Sequence, residues 1–222
     1  MKIAAIILQY DEPGWTEQTY NCLPEQIRIS GAFTFADRHG VGNMSKAFNN
    51  AYNKLKNDYM WFHRGQLHEK YPFVFWATNV TFDPELPQRM VNLMLADSEI
   101  GAVHASHNSD HKHLQPGREA QEVPFVELTC AVFSTKALYE VGLMDEDMPY
   151  WGMDLDWSYR AKQKGYKLYS HPGEVQHTYL RHIKQKHFIS GIREQLRTHY
   201  DHATRQALEK KYGNNWRAEL WP

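Results

Sequence analysis

Cysteine is almost absent from this 222-residue chain: Cys22 and Cys130 are its only two. Two cannot build a disulfide framework, so both read as reduced core or strand residues. Long apolar runs are missing as well. The longest near the start, residues 3–8 (IAAIIL), has six residues, too few for a membrane span or the core of a secretion signal, and a cytoplasmic protein is expected. There is no internal repeat and no Pro- or Gly-rich linker, which predicts a single domain over 1–222. An excess of one charge sign is also lacking, with a formal net charge of −1. That value excludes a uniformly basic nucleic-acid binder but conceals a division: 12 basic and 21 acidic residues up to Tyr159, then 13 basic and 5 acidic from Arg160 on. Aromatic residues are plentiful at 14%, which suits either stacking surfaces or an aromatic core.

Hydrophobic patterning alternates strands with helices. Continuous apolar runs at 3–8 and 71–76 read as strands buried on both faces, and 100–105 and 125–134 as further strands. Ile27, Arg28 and Ile29 form a short β-like piece, as do residues 33–36. Short strands are also expected at 166–170 and 175–179. Met44, Ala47, Phe48, Ala51, Tyr52 and Leu55 recur at helical spacing, and helices are expected at 15–23, 84–96, 135–141, 154–164 and through most of 183–212. The pattern predicts an α/β fold with an open, mixed but mostly parallel sheet flanked by helices, and a helical extension at the C-terminal end. Ligands of such sheets sit at the carboxyl ends of the strands. Those ends carry Gln9, Tyr10 and Asp11; Asp37 and Arg38; Thr78, Asn79 and Thr81; and the turn before Asp154. A polar loop is expected over 106–122; His104, His107, His111 and His113 cluster there without zinc-site spacing, which suits a solvated loop over the site.

The most specific stretch is VGLMDEDMPYWGMDLDWSYR (141–160), followed by Lys164-Gly165-Tyr166 and by His177. It resembles the acceptor-side signature of inverting nucleotide-sugar glycosyltransferases of family two, which have the GT-A fold: "xxGxxDE", an aromatic turn, "EDxDxxxR", "xxGY" and a late His. Residues 42–49 are similar to the family's "NxGxxxAxN" helix start, and residues 74–80 to its "hhhhNPDh" strand and turn. The resemblance spans about 180 residues and implies a GT-A-like, Rossmann-related fold. It divides the chain into a nucleotide-sugar half (1–105), an acceptor and catalytic half (106–180) and a basic helical tail (181–222).

An inverting transfer needs a base to take the proton of the attacking hydroxyl. The resemblance assigns that base to Asp154, with Asp156 two residues on; Asp156 also suits a bond to Arg160 four residues later. An ordinary carboxylate at a helix start is the alternative for Asp154. Trp151 and Gly152 resemble the "WGxED" turn whose aromatic ring flanks a sugar, and with Arg160 they form the expected acceptor side; the alternative is a core tryptophan. Donor binding is expected at Gln9, Tyr10 and Asp11, at Asp37 and Arg38 for the base, at Asn43 and Lys46 for phosphate, and at Thr78, Asn79 and Thr81. A divalent cation, Mn2+ or Mg2+, is implied by the family, with His177 and Asn79 as ligands. The family's "DxD" carboxylates are here Asn79 and Thr81, however, and its Glu is Met153. Arg181, His182, Lys184 and Lys186 could then supply positive charge instead. The implied donor is a nucleotide diphosphate sugar, foremost a UDP-sugar, and the acceptor a glycan, a lipid-linked glycan or a hydroxylated DNA base. A non-catalytic nucleotide-sugar-binding relative is the remaining alternative.

Overall fold

The computed structural model describes residues 3–9, 13–30, 33–37, 42–63, 71–78, 80–107, 119–149, 151–177 and 190–220. Eight strands form one sheet: β1 (Ile3–Gln9), β2 (Phe33–Asp37), β3 (Phe73–Ala77), β4 (Val80–Thr81), β5 (Ile100–His107), β6 (Gln121–Glu122), β7 (Cys130–Ser134) and β8 (Lys167–His177). Their order is β2-β1-β3-β7-β5-β8-β4, with β6 also pairing with β8. β1, β2, β3, β5 and β8 run in one direction, whereas β7 is inverted between β3 and β5. The sheet is therefore open, mixed and mostly parallel, as the alternation of apolar runs predicted.

Side chains alternate across the central strands and feed two cores. Ala4, Ile6 and Leu8 of β1, Val74 and Trp76 of β3 and Ala131 and Phe133 of β7 face one core. Ile3, Ala5, Ile7, Phe73, Phe75, Cys130 and Val132 face the other. Helices cover both faces: α1 (Pro13–Asn21), α2 (Glu25–Ser30), α3 (Met44–His63), α4 (Leu86–Ala96), α5 (Thr135–Val141), α6 (Met153–Gln163), α7 (Ser190–Tyr212) and α8 (Trp216–Leu220). α3 lays Ala47, Phe48, Ala51, Tyr52 and Leu55 on the first core, and α4 lays Leu86, Met90, Val91 and Met94 on the second.

Four expectations are corrected. Ile27 to Ile29 is helical, within α2, and Ile27 is buried together with Leu23 of the preceding bend. Only Cys130–Ser134 of the expected 125–134 strand pairs; residues 125–129 are held mainly by side chains, with the Thr78 N–H on the Thr129 carbonyl. The two short strands after Gly165 are one strand, β8, joined through irregular register with β5. His104 and His107 are buried in β5 rather than solvated, while His111 and His113 lie outside the described residues.

The start of α3 clasps the loop that leads to the 149–154 turn. Ser45 Oγ donates to the Met148 carbonyl at 2.6 Å, and the Met44 N–H to the Pro149 carbonyl at 2.7 Å. Buried Asn49 donates to the Met144 carbonyl at 2.9 Å and accepts the Met144 N–H at 3.0 Å. Asn49→Leu leaves both Met144 groups unpaired and is expected to lower unfolding stability by about 2–4 kcal/mol. Lys54→Ala breaks an exposed pair with Asp58 on the same helix, and should stay within about 0.5 kcal/mol of wild type. Urea denaturation of the two variants measures the difference.

Candidate active site

The carboxyl ends of β1 and β2 lie side by side, with Gln9 opposite Asp37 and both exposed. Tyr10, Asp11, Arg38 and Asn79 lie outside the described residues, so only the flanks of the expected donor loops are placed. Thr78 is buried and donates its N–H to the Thr129 carbonyl at 2.9 Å. β4 and β8 then put Val80 opposite His177 and Thr81 opposite Gln176, which brings the main chain of His177 beside the 78–81 turn; its imidazole lies outside the described residues. Lys46 is exposed at the start of α3. Asn43 is corrected as a phosphate group: it caps the helix, its Oδ1 accepting the Lys46 N–H at 2.9 Å while its Nδ2 holds the Glu146 carbonyl at 2.8 Å.

Asp154 begins α6. Gly152 precedes it at φ +83°, a left-handed conformation that turns the chain from the loop into the helix. A Cβ at Gly152 would lie 2.8 Å from Thr204 Cγ2 of α7, so the turn also lets two elements meet closely. The Asp154 carboxylate accepts the Leu155 N–H at 3.0 Å and is approached by the N–H groups of Asp154 and Leu128. These lower its pKa, but burial and then the charge of Glu127 dominate and push it up to about 7.

Glu127, which sequence reasoning passed over, lies in the side-chain-held segment 125–129. Ser158 Oγ of α6 accepts the Val126 N–H at 3.1 Å, and Trp76 Nε1 of β3 donates to the Leu128 carbonyl at 2.7 Å. His107 Nε2 bonds the Glu127 carboxylate, and Thr129 Oγ1 donates to its other oxygen at 2.9 Å. Burial works to raise the Glu127 pKa, yet its hydrogen bonds to His107 and Thr129 and the charges of the two histidines hold it below the usual carboxylate range. His104 and His107 are three positions apart, which on a regular strand would place them on opposite faces. Both nevertheless reach Glu127, His107 at its carboxylate and His104 at its N–H. A histidine pair followed by a distant Glu is the only signal in the sequence.

Asp156 and Arg160 take a different part from the catalytic and acceptor-binding ones expected. Asp156 is fully buried; Arg160 Nε donates to one oxygen at 2.8 Å, while the other accepts Tyr212 Oη at 2.5 Å and lies 2.6 Å from Lys211 Nζ. Arg160 also holds the Val141 and Leu143 carbonyls at 2.7 and 2.8 Å. Neither residue has its charged group directed at an open site. Half-buried Trp151 donates through Nε1 to Asp201, its ring 6.1 Å from that of Trp216 and 5.8 Å from the Arg205 guanidinium. Among the described residues no three His, Cys, Asp or Glu side chains converge as a metal site, and the flanking Thr78 and Thr81 are neutral. A hard divalent cation prefers charged oxygen ligands, which Thr78 and Thr81 do not supply, while Asn79 and the His177 imidazole lie outside the described residues.

No protein-family profile and no curated protein sequence matches the chain. Solved structures do. GalNAc-T7, crystallised with UDP, GalNAc and Mn2+, superposes with a TM-score of 0.56 at 11% identity over 99% of this chain and 54% of that one, so the chain spans about half its length. A197 from STIV gives 0.54 at 11% identity over 80% and 85%. The mannosyltransferase PcManGT from Pyrobaculum calidifontis, in complex with GDP-Man and Mn2+, gives 0.48 at 13% over 99% and 73%. Among the described residues no helix is long and apolar enough to cross a membrane.

Two stability predictions follow from the contrasting aspartates. Asp156→Ala leaves Arg160 and Lys211 around a buried vacancy and is expected to cost about 3–5 kcal/mol, read by chemical denaturation. Asp154 behaves oppositely. Its pKa rises from 3.8 unfolded to about 7 folded, so ionisation opposes folding, and the fold loses stability as pH climbs through that window. Relative to wild type, Asp154→Asn should therefore gain stability between pH 4 and pH 7, measured as the difference between the two melting curves. The sheet and its helices have the GT-A-like fold of these solved structures.

Proposed function

We propose that the protein is an inverting glycosyltransferase that moves a sugar from a nucleotide diphosphate sugar to a hydroxyl acceptor, with Asp154 as general base. The observation that carries this reading is the Asp154 carboxylate at the start of α6, behind the left-handed Gly152 turn, where burial and then the Glu127 charge push its pKa up to about 7. Such a group is ionised in part at neutral pH and still basic enough to accept a proton. In the transfer the acceptor oxygen forms its bond to the anomeric carbon as the bond from that carbon to the diphosphate oxygen breaks. The hydroxyl proton passes to Asp154, and the electron pair leaves with the diphosphate.

Gln9 and Asp37, at the ends of adjacent parallel strands, flank the nucleotide, with Tyr10, Asp11 and Arg38 in the adjoining segments. Lys46, Thr78, Asn79 and Thr81 are assigned to the diphosphate. GalNAc-T7 was crystallised with UDP, and a UDP-sugar is accordingly the first donor to test. Because Asn79 and Thr81 do not supply carboxylates, no step is assigned to a metal, and the diphosphate charge falls to basic groups such as Lys184 and Lys186. Trp151, Gly152 and the elements behind them form the acceptor wall. The Arg205 guanidinium over Trp151 and the Arg217 guanidinium 5.4 Å from the Trp216 ring favour an acceptor that carries phosphate, a property shared by lipid-linked glycans and DNA. A single domain acting in the cytoplasm completes the proposal.

A thermal-shift series with nucleoside diphosphates and their sugars, followed by transfer assays with the stabilising donor, tests the reading. UDP-sugars are expected to raise the melting temperature, and EDTA should leave transfer intact. Asp154→Asn should retain donor binding and lose transfer by about 10²–10⁴-fold. The wild-type rate should rise with pH through a limb near 7. Donor binding with full activity in Asp154→Asn would refute the assigned base.

A further inference from the structure

The pole of the sheet opposite the strand carboxyl ends carries a feature that the transfer does not use. β3 and β5 begin there, at Phe73 and Ile100, and antiparallel β7 ends there, with Ser134 opposite Phe73. Beside them, the last turn of α4 and the outer side of α5 border a cavity of about 640 Å³. Buried Phe73, Met94 and Ile100 line it together with exposed Leu95 and Tyr139. Among the described residues three large apolar side chains are exposed, and two of them, Leu95 at 58% and Tyr139 at 69%, meet at this one cavity. Single exposed apolar residues are ordinary, but two that converge on a concave apolar surface mark a docking face.

The charge pattern of that face says what fits it. α5 turns Thr135, Ala137 and Leu138 into the core, so Lys136, Tyr139 and Glu140, spaced by three and four, share its outer face. Lys136 and Glu140 lie 3.8 Å apart with side chains 72% and 43% exposed, a weak pair that a stronger contact can replace. Glu140 also accepts the Tyr166 hydroxyl at 2.7 Å. One basic and one acidic group thus stand on the same short helix face as an exposed ring and a hole. Turned through a twofold axis, such a face is complementary to itself: each Lys136 meets the Glu140 of the other copy, and each Tyr139 meets the cavity beside the other's Leu95. The formal net charge of −1 leaves little repulsion between copies.

We propose that a second copy of this chain docks on this face, in a twofold dimer whose α5 helices lie antiparallel, whose Tyr139 rings fill the paired cavities, and whose Lys136 and Glu140 side chains pair between copies. Thr78 and the Thr129 carbonyl that it bonds lie at the other ends of β3 and β7, so the candidate active sites stay open at the outward poles of the dimer. The inference is independent of the transferase reading.

The test is sedimentation equilibrium of the full chain across a range of concentrations. Wild type is expected to behave as a reversible dimer, and Tyr139→Ala to raise its dissociation constant by about 30-fold. Lys136→Glu alone and Glu140→Lys alone each set like charges across the axis and should shift the protein toward monomer. An equimolar mixture of those two variants should restore the dimer as a heterodimer, and the chain carrying both changes should restore it as a homodimer. A pair that acts only within one chain gives no rescue on mixing, and that result overturns the proposal. A wild type that stays monomeric at every concentration overturns it too, and leaves the cavity to a small apolar ligand or an unlike partner. So does a dimer that both Tyr139→Ala and Leu95→Glu leave intact. All four positions are exposed, and circular dichroism checks the fold of each variant; should Tyr139→Ala not fold, the mixing experiment decides.

Discussion

The buried Asp156 carboxylate is the interaction on which the candidate site depends. Its two oxygens collect Arg160 from the next turn of α6 and Tyr212 and Lys211 from the end of α7. Arg160 extends the same connection to the Val141 and Leu143 carbonyls, and Trp157 Nε1 reaches the Gly142 carbonyl at 3.0 Å. One carboxylate thus ties the loop entering the site, the helix that carries Asp154 and the C-terminal helix. A buried charge costs several kcal/mol in desolvation unless its hydrogen-bonding capacity is met, and here every oxygen is met. The same network acts on its partners. Burial first, and then the bond to Asp156, pushes the Tyr212 hydroxyl well up, so it stays a donor; burial would lower the Lys211 ammonium, but Asp145 and Asp156 hold it up.

Rigidity at Asp156 is what allows Asp154 to be different. Residues two apart on a helix point to different sides, so a single turn presents one aspartate to a nest of donors and the other to Glu127. The first is compensated; the second is left among backbone N–H groups and an opposing charge. Environments that drive neighbouring carboxyl groups apart separate a structural role from an acid–base role. Trp76 contributes from the opposite side of the site: it is buried in the core of β3, and its one polar atom fixes the Leu128 peptide that lies between Glu127 and Asp154. Core packing and site electrostatics therefore meet in the same residue.

Continuous apolar runs made β1, β3 and β5 legible in the sequence, because a strand buried on both faces needs no alternation. The helix over 135–141 was legible too, and α5 closes on Gly142 at φ +90°. Ile27-Arg28-Ile29 misled because three residues carry too little period to separate a strand from a helix, and burial of Ile27 with Leu23 settles it only in the fold. Residues 125–129 have strand-like composition but are held by Ser158, Trp76 and His104, partners 23 to 52 positions away. The Asp156–Arg160 spacing could be read from the chain, whereas Tyr212, 56 positions on, could not. The meeting of His104 and His107 at Glu127, 23 and 20 positions away, has no compositional sign.

The division of charge at Arg160 acquires a physical meaning from these contacts. Lys211 of the basic portion pairs with Asp145 and Asp156 of the acidic portion at 2.7 and 2.6 Å. Lys167 pairs with Asp97 and Glu99 at 2.9 and 2.8 Å, again across the division. Arg160 itself stands at the boundary and pairs back to Asp156. Part of the opposite charge therefore holds the two portions together rather than awaiting an external partner. The Arg205 and Arg217 guanidinium groups are different: they lie over Trp151 and Trp216 and have no carboxylate partner among the described residues. An anionic acceptor would meet those two positions rather than the basic portion as a whole, so the charge that matters for recognition is smaller and more local than the sequence total suggests.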